Sequence, residues 1–194
     1  MIYKKSWKYI LIKDYTFYCI NRGYYRPKAI KNFSDVYIGN LGGYLEGYHN
    51  LSQSGDCWVY NEAVAAENSK ISDNARILHK AVIKGNTQIY ENAKVFEKAI
   101  ITGNAAVISG NARIYGSAWI SEKVHVSGNA VVFDEAKVGG HAIISGRSMI
   151  YSNAQVFGRA VVTDNARVCG FAVVHGEARI CGDTIVKEFM MINA

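Results

Sequence analysis

Histidine is the residue type in this chain best suited to acid–base chemistry or metal binding, and four of its five histidines lie in the regular part of the sequence. They are His79, His125, His141 and His175, and each occupies a different phase of a six-residue repeat. A general base must reach the proton it abstracts, and a metal site needs several converging ligands. Because the spacing separates these side chains and no column of acids accompanies them, we expect no catalytic residues, no metal site and no cofactor.

The repeat that separates the histidines runs from Cys57 to Val186 with a period of six residues. Each unit has a small residue, a variable residue, a β-branched aliphatic and a short polar corner, as in Ala75-Arg76-Ile77. Val or Ile stands two positions after every small residue except at Ala65. A stiff β-branched side chain at this spacing is typical of a narrow interior in which it stacks on its copy in the next coil. Three successive units then form one triangular coil.

The sequence therefore predicts an all-β fold, a single-stranded parallel β-helix over residues 51–186 with about seven triangular coils. Gly and Asn fill the corners, where they tolerate positive φ. One inserted residue breaks the period, and we place it between Val107 and Ala112. This placement puts Val107 in the interior and Ala106 on the third flat side. A strand spacing of about 4.8 Å predicts a rod roughly 30–35 Å long.

The two ends of such a rod would expose unpaired strand edges, so we expect a cap on each. Residues 1–50 hold 9 of the 13 tyrosines, alternate over Tyr9–Ile12 and Tyr15–Ile20, and offer a turn at Asn21-Arg22-Gly23. They are predicted to form an N-terminal antiparallel β cap and junction. Residues 187–194 are predicted to be a C-terminal capping tail that folds over the last coil.

The charge is concentrated at the N-terminal end, where residues 1–50 carry eight Lys or Arg against three acids, out of a net +6 for the chain. A basic end could meet nucleic acid, an anionic membrane or an acidic protein. The interleaved tyrosines favour lysines that simply solvate a β cap, so we do not expect a nucleic-acid partner.

Cysteine usage and hydropathy bear on the compartment. The four cysteines show no paired spacing, which is typical of reduced thiols in a cytosolic protein. No apolar run of about 18 residues is present, so we expect no membrane-spanning segment. These observations predict a cytoplasmic protein.

The chain resembles the YdcK-like family in the junction ahead of its repeats. The segments that carry the resemblance are Phe33-Ser34-Asp35-Val36, Gly42-Gly43-Tyr44 and Leu51-Ser52-Gln53-Ser54-Gly55-Asp56-Cys57-Trp58-Val59-Tyr60. The resemblance implies a left-handed β-helix related to the hexapeptide-repeat acyltransferases. It also implies a phage- or prophage-type member, active in a bacterial or phage-infected cell. The family brings no established reaction, so no catalytic residue is carried over.

The relation to hexapeptide-repeat acyltransferases raises the question of an enzyme that uses acyl-CoA. Those enzymes need a general-base histidine beside a long loop that leaves the coil and walls off a site. The longest interruption here is one residue. We therefore favour a non-enzymatic protein, and an acyltransferase-like enzyme and a purely structural rod remain as alternatives.

Three columns of outward residues appear when the repeat is read one coil at a time. The aromatic edge is Tyr60, Leu78, Phe96, Tyr115, Phe133 and Tyr151. The basic column is Arg76, Lys94 and Arg113, with corner acids nearby at Asp73, Glu91 and Glu97. The apolar stripe is Val64, Val82, Ile100 and Trp119.

Each column has a structural and a functional interpretation. The rings of the aromatic edge could stack on one another and stiffen the rod, or they could contact a protein partner. The nearby acids favour a solvated face for the basic column. An apolar patch that spans four coils is usually covered, so the apolar stripe predicts either the N-terminal unit folding back or self-association as a homo-oligomer. The columns thus predict a binding protein that contacts a macromolecule through its lateral faces, and the resemblance to phage-type members implies that it engages or inhibits a host target.

Overall fold

Short parallel strands stack in three flat sheets around a narrow interior. The computed structural model describes residues 7–19 and 22–194 and leaves the side chains of residues 14–22 undescribed. A short 3-10 helix over Tyr48–Asn50 accompanies the strands, and no helix in the described part of the chain could cross a membrane. The fold is thus all-β, a β-solenoid of about eight turns, one more than the sequence predicted.

The first of the three sheets, called flat 1, takes one strand from every coil. Its strands are β4 (Trp58–Val59), β7 (Arg76–Ile77), β10 (Lys94–Val95), β13 (Arg113–Ile114), β16 (Val131–Val132), β19 (Met149–Ile150), β22 (Arg167–Val168) and β25 (Ile185–Val186).

Flat 2 continues into an N-terminal hairpin and so is the widest sheet among the described residues. Its strands are β1 (Tyr9–Cys19), β2 (Arg22–Ala29), β3 (Tyr44–Leu45), β5 (Val64–Ala65), β8 (Val82–Gly85), β11 (Ile100–Gly103), β14 (Trp119–Ser121), β17 (Lys137–Val138), β20 (Gln155–Val156), β23 (Val173–His175) and β26 (Met191–Asn193).

Flat 3 closes the triangle. Its strands are β6 (Lys70–Ile71), β9 (Gln88–Ile89), β12 (Val107–Ile108), β15 (His125–Val126), β18 (Ile143–Ile144), β21 (Val161–Val162) and β24 (Arg179–Ile180).

The interior follows the repeat closely. The small residue and the aliphatic two positions later are buried in coil after coil, as at Ala75, Ile77, Ala81 and Ile83. Ala65, the exception to the aliphatic rule, is buried as well. Each aliphatic side chain removes apolar surface from water, and only the stacked array offsets the backbone entropy lost on ordering.

The inserted residue lies earlier than the sequence predicted. Gly85 pairs with Gly103, eighteen residues on, whereas Gln88 pairs with Val107, nineteen residues on. The extra residue therefore falls between Gly103 and Ala106. Ala106 is buried and Val107 points outward, the reverse of our placement. The sequence could not decide this register, because two alanines and then two β-branched residues follow one another there.

The first coil begins before residue 51. Strands β1 and β2 pair antiparallel, and β2 pairs antiparallel with β3. Strand β3 then pairs in parallel with β5, so that Tyr44 already stands in the register of the coil. Of the turn predicted at Asn21-Arg22-Gly23, Asn21 lies outside the described residues, whereas Arg22 and Gly23 already belong to β2 and pair with β1. The side chain of Cys19 is also outside the described part.

The C-terminal residues extend the coil instead of folding over it. Strand β26 pairs in parallel with β23, with Met191 opposite Val173. Ile192 packs against the interior, and Phe189 is left with 82% of its surface exposed. The prediction that the tail folds over the last coil was wrong, because these residues keep the alternation of outward and inward side chains.

A buried lysine joins the N-terminal unit to the first coil. The ammonium of Lys8 donates to the carbonyls of Cys57 and Gly55, at 2.8 and 3.1 Å, and lies 3.2 Å from the Cys57 sulfur. Burial lowers the pKa of Lys8 and raises the pKa of Cys57. The Tyr9 hydroxyl donates to the carbonyl of Leu51 at 2.6 Å. These side-chain donors take the place of the N–H groups that a preceding coil would supply to the same carbonyls.

Side chains also block the outer edge of β1. The Gln53 amide accepts from the N–H of Lys8 at 2.9 Å and donates to the carbonyl of Tyr9 at 3.1 Å. The hydroxyl of Tyr48 accepts the N–H of Leu11 at 3.1 Å. The backbone groups blocked in this way, at Lys8, Tyr9 and Leu11, are not available to another chain.

Candidate interaction surfaces

Two of the histidines form hydrogen bonds with backbone groups. The Nδ1 atom of His79 accepts the N–H of Glu97, one coil further on, at 3.2 Å. The Nε2 atom of His49 lies 2.7 Å from the carbonyl oxygen of Glu67, to which it donates. Among the residues that the structure describes, no three His, Cys, Asp or Glu side chains converge as a metal site.

The corner acids bind the backbone as well. Six of the acids at positive φ turn their side chains toward the next coil and accept its corner N–H. The pairs are Glu67 with Gly85 (2.9 Å), Asp73 with Glu91 (3.0 Å), Glu91 with Gly110 (2.5 Å), Glu97 with Gly116 (3.0 Å), Asp134 with Ser152 (3.1 Å) and Asp164 with Gly182 (2.9 Å). We expected Asp73, Glu91 and Glu97 to offset the basic column. Their carboxylates instead hold successive coils together, a role for which the repeat gave no signal.

The aromatic edge is a stack of rings. The centroids of Phe96 and Tyr115 lie 4.7 Å apart, those of Tyr115 and Phe133 5.1 Å, and those of Phe133 and Tyr151 5.0 Å. Successive planes differ by 14° or less. The ring faces therefore cover one another, as the structural interpretation of the column requires.

This stacking limits what the aromatic edge can contact. Its rings are half-buried, and burial raises the pKa of Tyr115. A hydrogen bond with Cys169, together with burial, raises the pKa of Tyr151. Since the faces are occupied, a base or a sugar cannot stack on these rings. Only the ring edges and the Tyr115 hydroxyl remain for a partner.

Tyr60 and Arg76, the first members of the aromatic edge and of the basic column, bind another residue of the chain. Tyr60 donates its hydroxyl proton to Asp35 at 2.7 Å, and Arg76 forms an ion pair with Asp35 at 3.0 Å. Burial and the bond to Asp35 raise the pKa of Tyr60. Burial alone would raise the pKa of Asp35, but the Tyr60 hydroxyl and the Arg76 charge lower it. Tyr60 and Arg76 thus fasten residues 34–35 of the junction to flat 1.

The rest of the basic column is exposed. Lys94 and Arg113 form no ion pair with any described residue. The guanidinium of Arg113 lies 5.7 Å from the centre of the Phe96 ring, a cation–π contact. Leu78, the second member of the aromatic edge, is half-buried. The structure therefore brings Phe96, Arg113 and Tyr115 together as one continuous surface.

The apolar stripe is covered at one end and open at the other. Val64 is buried against Tyr24 and Tyr44 of the N-terminal unit, and Val82 is partly buried beside them. Ile100 and Trp119, paired on neighbouring strands, stay 41% and 46% exposed. The N-terminal unit therefore covers only the first part of the stripe. Nothing in the described part of the chain covers the rest.

Polar groups frame the open part of the stripe. The indole N–H of Trp119 donates to the hydroxyl of Thr102 at 3.3 Å, which fixes the ring on the sheet. Lys98 is exposed on the corner that precedes Ile100, and Lys137 follows Trp119 in the same column. Lys80, one coil earlier, forms an ion pair with Glu62 at 3.3 Å. The result is an apolar centre with a basic rim.

A shallow depression borders this region. It measures about 420 Å³ and is lined by His79, Lys80, Glu97, Lys98, Gly116 and Ser117. Two of these side chains, His79 and Glu97, already accept backbone N–H groups. The depression is therefore a poor place for a proton-transferring histidine.

The buried contacts of Lys8 were not predicted from the sequence. Gln53 and Cys57 belong to the junction motif, but Lys8 lies 45 and 49 residues before them. The alternation of residues 9–12 marked a strand and gave no sign of a buried ammonium beside it. Only the folding of β1 across the end of the first coil brings the three residues together.

Comparisons with known proteins agree with this architecture. Residues 106–122 and 154–170 match the family described as YdcK Beta solenoid repeat. The chain is also similar to a protein of Escherichia coli (strain K12) named "Uncharacterized acetyltransferase YdcK", with 42% identity over 50 residues. Those residues are 25% of this chain and 15% of the relative, so the match spans only a small part of the relative's length.

Proposed function

We propose that this YdcK-like β-solenoid protein is a non-enzymatic binding protein, encoded by a phage or prophage, that engages or inhibits a macromolecular host target in the bacterial cytoplasm. The observation that carries the proposal is the exposed pair Ile100 and Trp119 on a rigid flat sheet. Monomeric proteins rarely leave a contiguous apolar patch uncovered, and such patches mark contact surfaces.

The chemistry around this pair indicates the partner. Trp is among the residues enriched where binding energy concentrates, and lysines suit the solvated rim of an interface. Lys98 and Lys137 stand beside the apolar centre. A protein surface with an apolar centre and acidic residues around it would complement this arrangement.

The aromatic edge and the exposed part of the basic column form a second candidate surface. Phe96 and Tyr115 present their ring edges there, beside the exposed Lys94 and Arg113. Its rings are already stacked, so a partner would gain less new apolar burial on it than on Trp119. We therefore rank it below the apolar stripe.

A pull-down from bacterial lysate tests the two surfaces against each other. The bait is the full chain, and the variant Ile100→Lys/Trp119→Lys places two charges on the open stripe. Ile143→Lys, on flat 3, is the matched control because Ile143 is 43% exposed. We expect the double variant to lose a specific host protein that the wild type and the control retain, as measured by quantitative mass spectrometry. Unchanged capture by the double variant would contradict the proposal for this stripe.

The triple variant Phe96→Ala/Tyr115→Ala/Phe133→Ala examines the aromatic edge in the same assay. Loss of the same host protein in this variant alone would move the binding site to that edge. If neither variant changes a captured protein, the structural rod becomes the better explanation.

Self-association is a further use of the open stripe. Two copies that meet through Ile100 and Trp119 would bury the same apolar surface symmetrically. Sedimentation equilibrium of the wild type and of the Ile100→Lys/Trp119→Lys variant distinguishes this case. A dimer that the substitutions dissociate would assign the stripe to a second copy.

An acyltransferase-like activity is the second candidate, and the name of the Escherichia coli relative favours it. Isothermal titration with acetyl-CoA, followed by an assay for free thiol, tests it directly. Binding with turnover would establish an enzyme, and absence of both would remove this candidate.

A further inference from the structure

A lysine amine and a cysteine thiol meet in the interior beside the junction. The Nζ atom of Lys8 lies 3.2 Å from the sulfur of Cys57, although the two residues are 49 positions apart in the sequence. Their exposed fractions are 1% and 0%. A lysine ammonium has three donors, and the carbonyls of Ser54, Gly55 and Cys57 already provide three acceptors. The thiol is therefore a contact beyond those that the burial of Lys8 requires.

Both atoms are held in place by backbone groups. The Nζ atom of Lys8 lies 2.8 Å from the carbonyl oxygen of Cys57 and 3.1 Å from that of Gly55. The Cys57 sulfur lies 3.6 Å from the carbonyl oxygen of Ile71 and 3.7 Å from that of Ser52. Two reacting atoms held about 3–3.5 Å apart are in a near-attack arrangement. The fold thus places this nitrogen and this sulfur as two reactants would be placed.

Only a short segment separates the pair from solvent. Ser54, Gly55 and Asp56 are exposed, and the first two supply carbonyls to the Lys8 amine from the other side. Local opening of one exposed segment costs much less than unfolding of a whole domain. A small oxidant such as hydrogen peroxide therefore reaches the sulfur through the movement of this segment alone.

The protonation states of the two groups suit a reaction between them. Burial raises the pKa of the Cys57 thiol, so the thiol needs a base before it can act as a nucleophile. Burial lowers the pKa of Lys8, which increases the fraction of uncharged amine. An uncharged amine is both a base and a nucleophile. Lys8 is thus able to activate Cys57 and then to react with it.

We propose that Lys8 and Cys57 are a modification site, at which hydrogen peroxide joins the lysine nitrogen to the cysteine sulfur in a sulfenamide cross-link. In the first step the Lys8 amine takes the thiol proton, and the sulfur attacks one oxygen of the peroxide. The O–O bond breaks and the sulfur becomes a sulfenic acid. The departing hydroxide takes the proton back from Lys8 and leaves as water.

The second step forms the cross-link. The lone pair of the Lys8 amine attacks the sulfenic sulfur, the S–O bond breaks, and the released hydroxide takes a proton from the nitrogen to leave as a second water. The sulfur loses two electrons, one peroxide gains them, and two waters form. A thiol reductant reverses the reaction by attack on the sulfur, which releases the amine, and a second thiol then frees Cys57 from the mixed disulfide.

The cross-link would fasten β1 to the first coil under oxidising conditions. Strand β2, paired with β1, carries Tyr24, which covers Val64 at one end of the apolar stripe. Two other cysteines serve as internal comparisons. Cys169 is half-buried and bonds to Tyr151, Cys181 is exposed, and the described contacts of these two thiols include no lysine amine.

Peptide mapping by tandem mass spectrometry tests the proposal on the full chain. The reduced protein is treated with hydrogen peroxide, digested without reductant, and compared with the same digest after addition of dithiothreitol. The matched variant is Lys8→Arg, which keeps a cation and its donors but has no nucleophilic amine. Wild-type protein oxidised in concentrated urea is a second control that does not depend on the folding of a variant.

We expect a peptide that joins residues 8 and 57 and weighs two hydrogens less than the sum of its parts. Its yield should be about tenfold or more above that in urea, because the reaction depends on the folded geometry. Dithiothreitol should remove it, and Lys8→Arg should lack it. Sulfinic acid on Cys57 without a cross-link, or an unreacted Cys57 beside an oxidised Cys181, would overturn the proposal. A cross-link that retains an oxygen atom would overturn the direct nitrogen–sulfur bond. None of these results depends on the pull-down.

Discussion

The first and the last described coils differ in how their backbone groups are satisfied. At the N-terminal end, the Lys8 ammonium and the Tyr9 hydroxyl fill the hydrogen-bonding positions that a preceding coil would occupy, and Gln53 binds the backbone at the start of β1. At the last described coil, the N–H groups and Glu188 keep the geometry used for coil contacts. The comparison teaches that an end of a parallel coil has a chemical polarity. Here the carbonyl-rich side of the first coil is capped by the Lys8 ammonium and the Tyr9 hydroxyl.

The largest expected difference between the ends lies in the first and last residues of one column on flat 1. Trp58 is buried against Tyr9 and Phe33, and Ile185 is exposed. We expect Trp58→Ala to lower the free energy of unfolding by about 3–5 kcal/mol. Ile185→Ala should lower it by less than about 1 kcal/mol. Urea denaturation measures both, and equal losses would show that the last coil is covered in solution.

Removal of the buried ammonium is the next largest test. Lys8→Met keeps the length of the side chain but leaves the carbonyls of Gly55 and Cys57 without a donor. Unsatisfied buried groups cost about 1–3 kcal/mol each, so we expect a loss of roughly 2–3 kcal/mol in the free energy of unfolding. Lys187→Met, at the other end, is the control and should be nearly neutral. A neutral Lys8→Met would mean that water replaces the ammonium.

The corner acids allow a matched comparison within one column. Glu97 and Glu188 have φ values of 60° and 59°, so Ala brings the same backbone strain to both. Glu97→Ala also removes the bond to the Gly116 N–H, and we expect it to cost about 0.5–1 kcal/mol more than Glu188→Ala. Thermal unfolding of the two variants measures the difference. Identical melting temperatures would mean that the corner carboxylates contribute nothing to coil stacking.

The smallest expected effect is the pH-dependent contribution of Asp35, in the junction, to the free energy of unfolding. Its neighbours hold the pKa of Asp35 below the usual 3.8, so the folded state favours the carboxylate. That contribution is complete above the unfolded pKa and is lost as the pH falls through the lower folded pKa. Asp35 is largely exposed, so we expect Asp35→Asn to cost only about 0.5–1 kcal/mol at neutral pH. The difference from the wild type should vanish well below pH 4, and a difference that persists there would argue against the ion pair.

Much of the fold could be predicted because every coil repeats the same spacing of small and aliphatic residues that point into the interior. Ala112 and Ile114 occupy the same inward positions as their copies, and burial of one predicts burial of all. The predicted register was wrong at Ala105 and Ala106, because either alanine could fill the small inward position. The prediction for the C-terminal tail was wrong for a related reason, since the apolar residues 189–192 could form either a cap or a further strand.

The candidate surfaces were predicted as columns but not as contacts. The spacing placed Phe96 above Tyr115, and the structure stacks them. The spacing could not show that Tyr60 and Arg76 are held by Asp35, because that residue lies outside the repeat. It likewise left open what covers the apolar stripe, which Tyr24 and Tyr44 do only as far as Val82.

The sequence by itself determined the period, the inward residues and the all-β class, because each depends on short-range alternation that recurs along the chain. Only the tertiary structure decided how the ends are satisfied. Lys8 meets Cys57, and Tyr24 meets Val64, through chain folding that brings distant residues together. No local pattern encodes such contacts, since they depend on where the hairpin of β1 and β2 lies relative to the first coil.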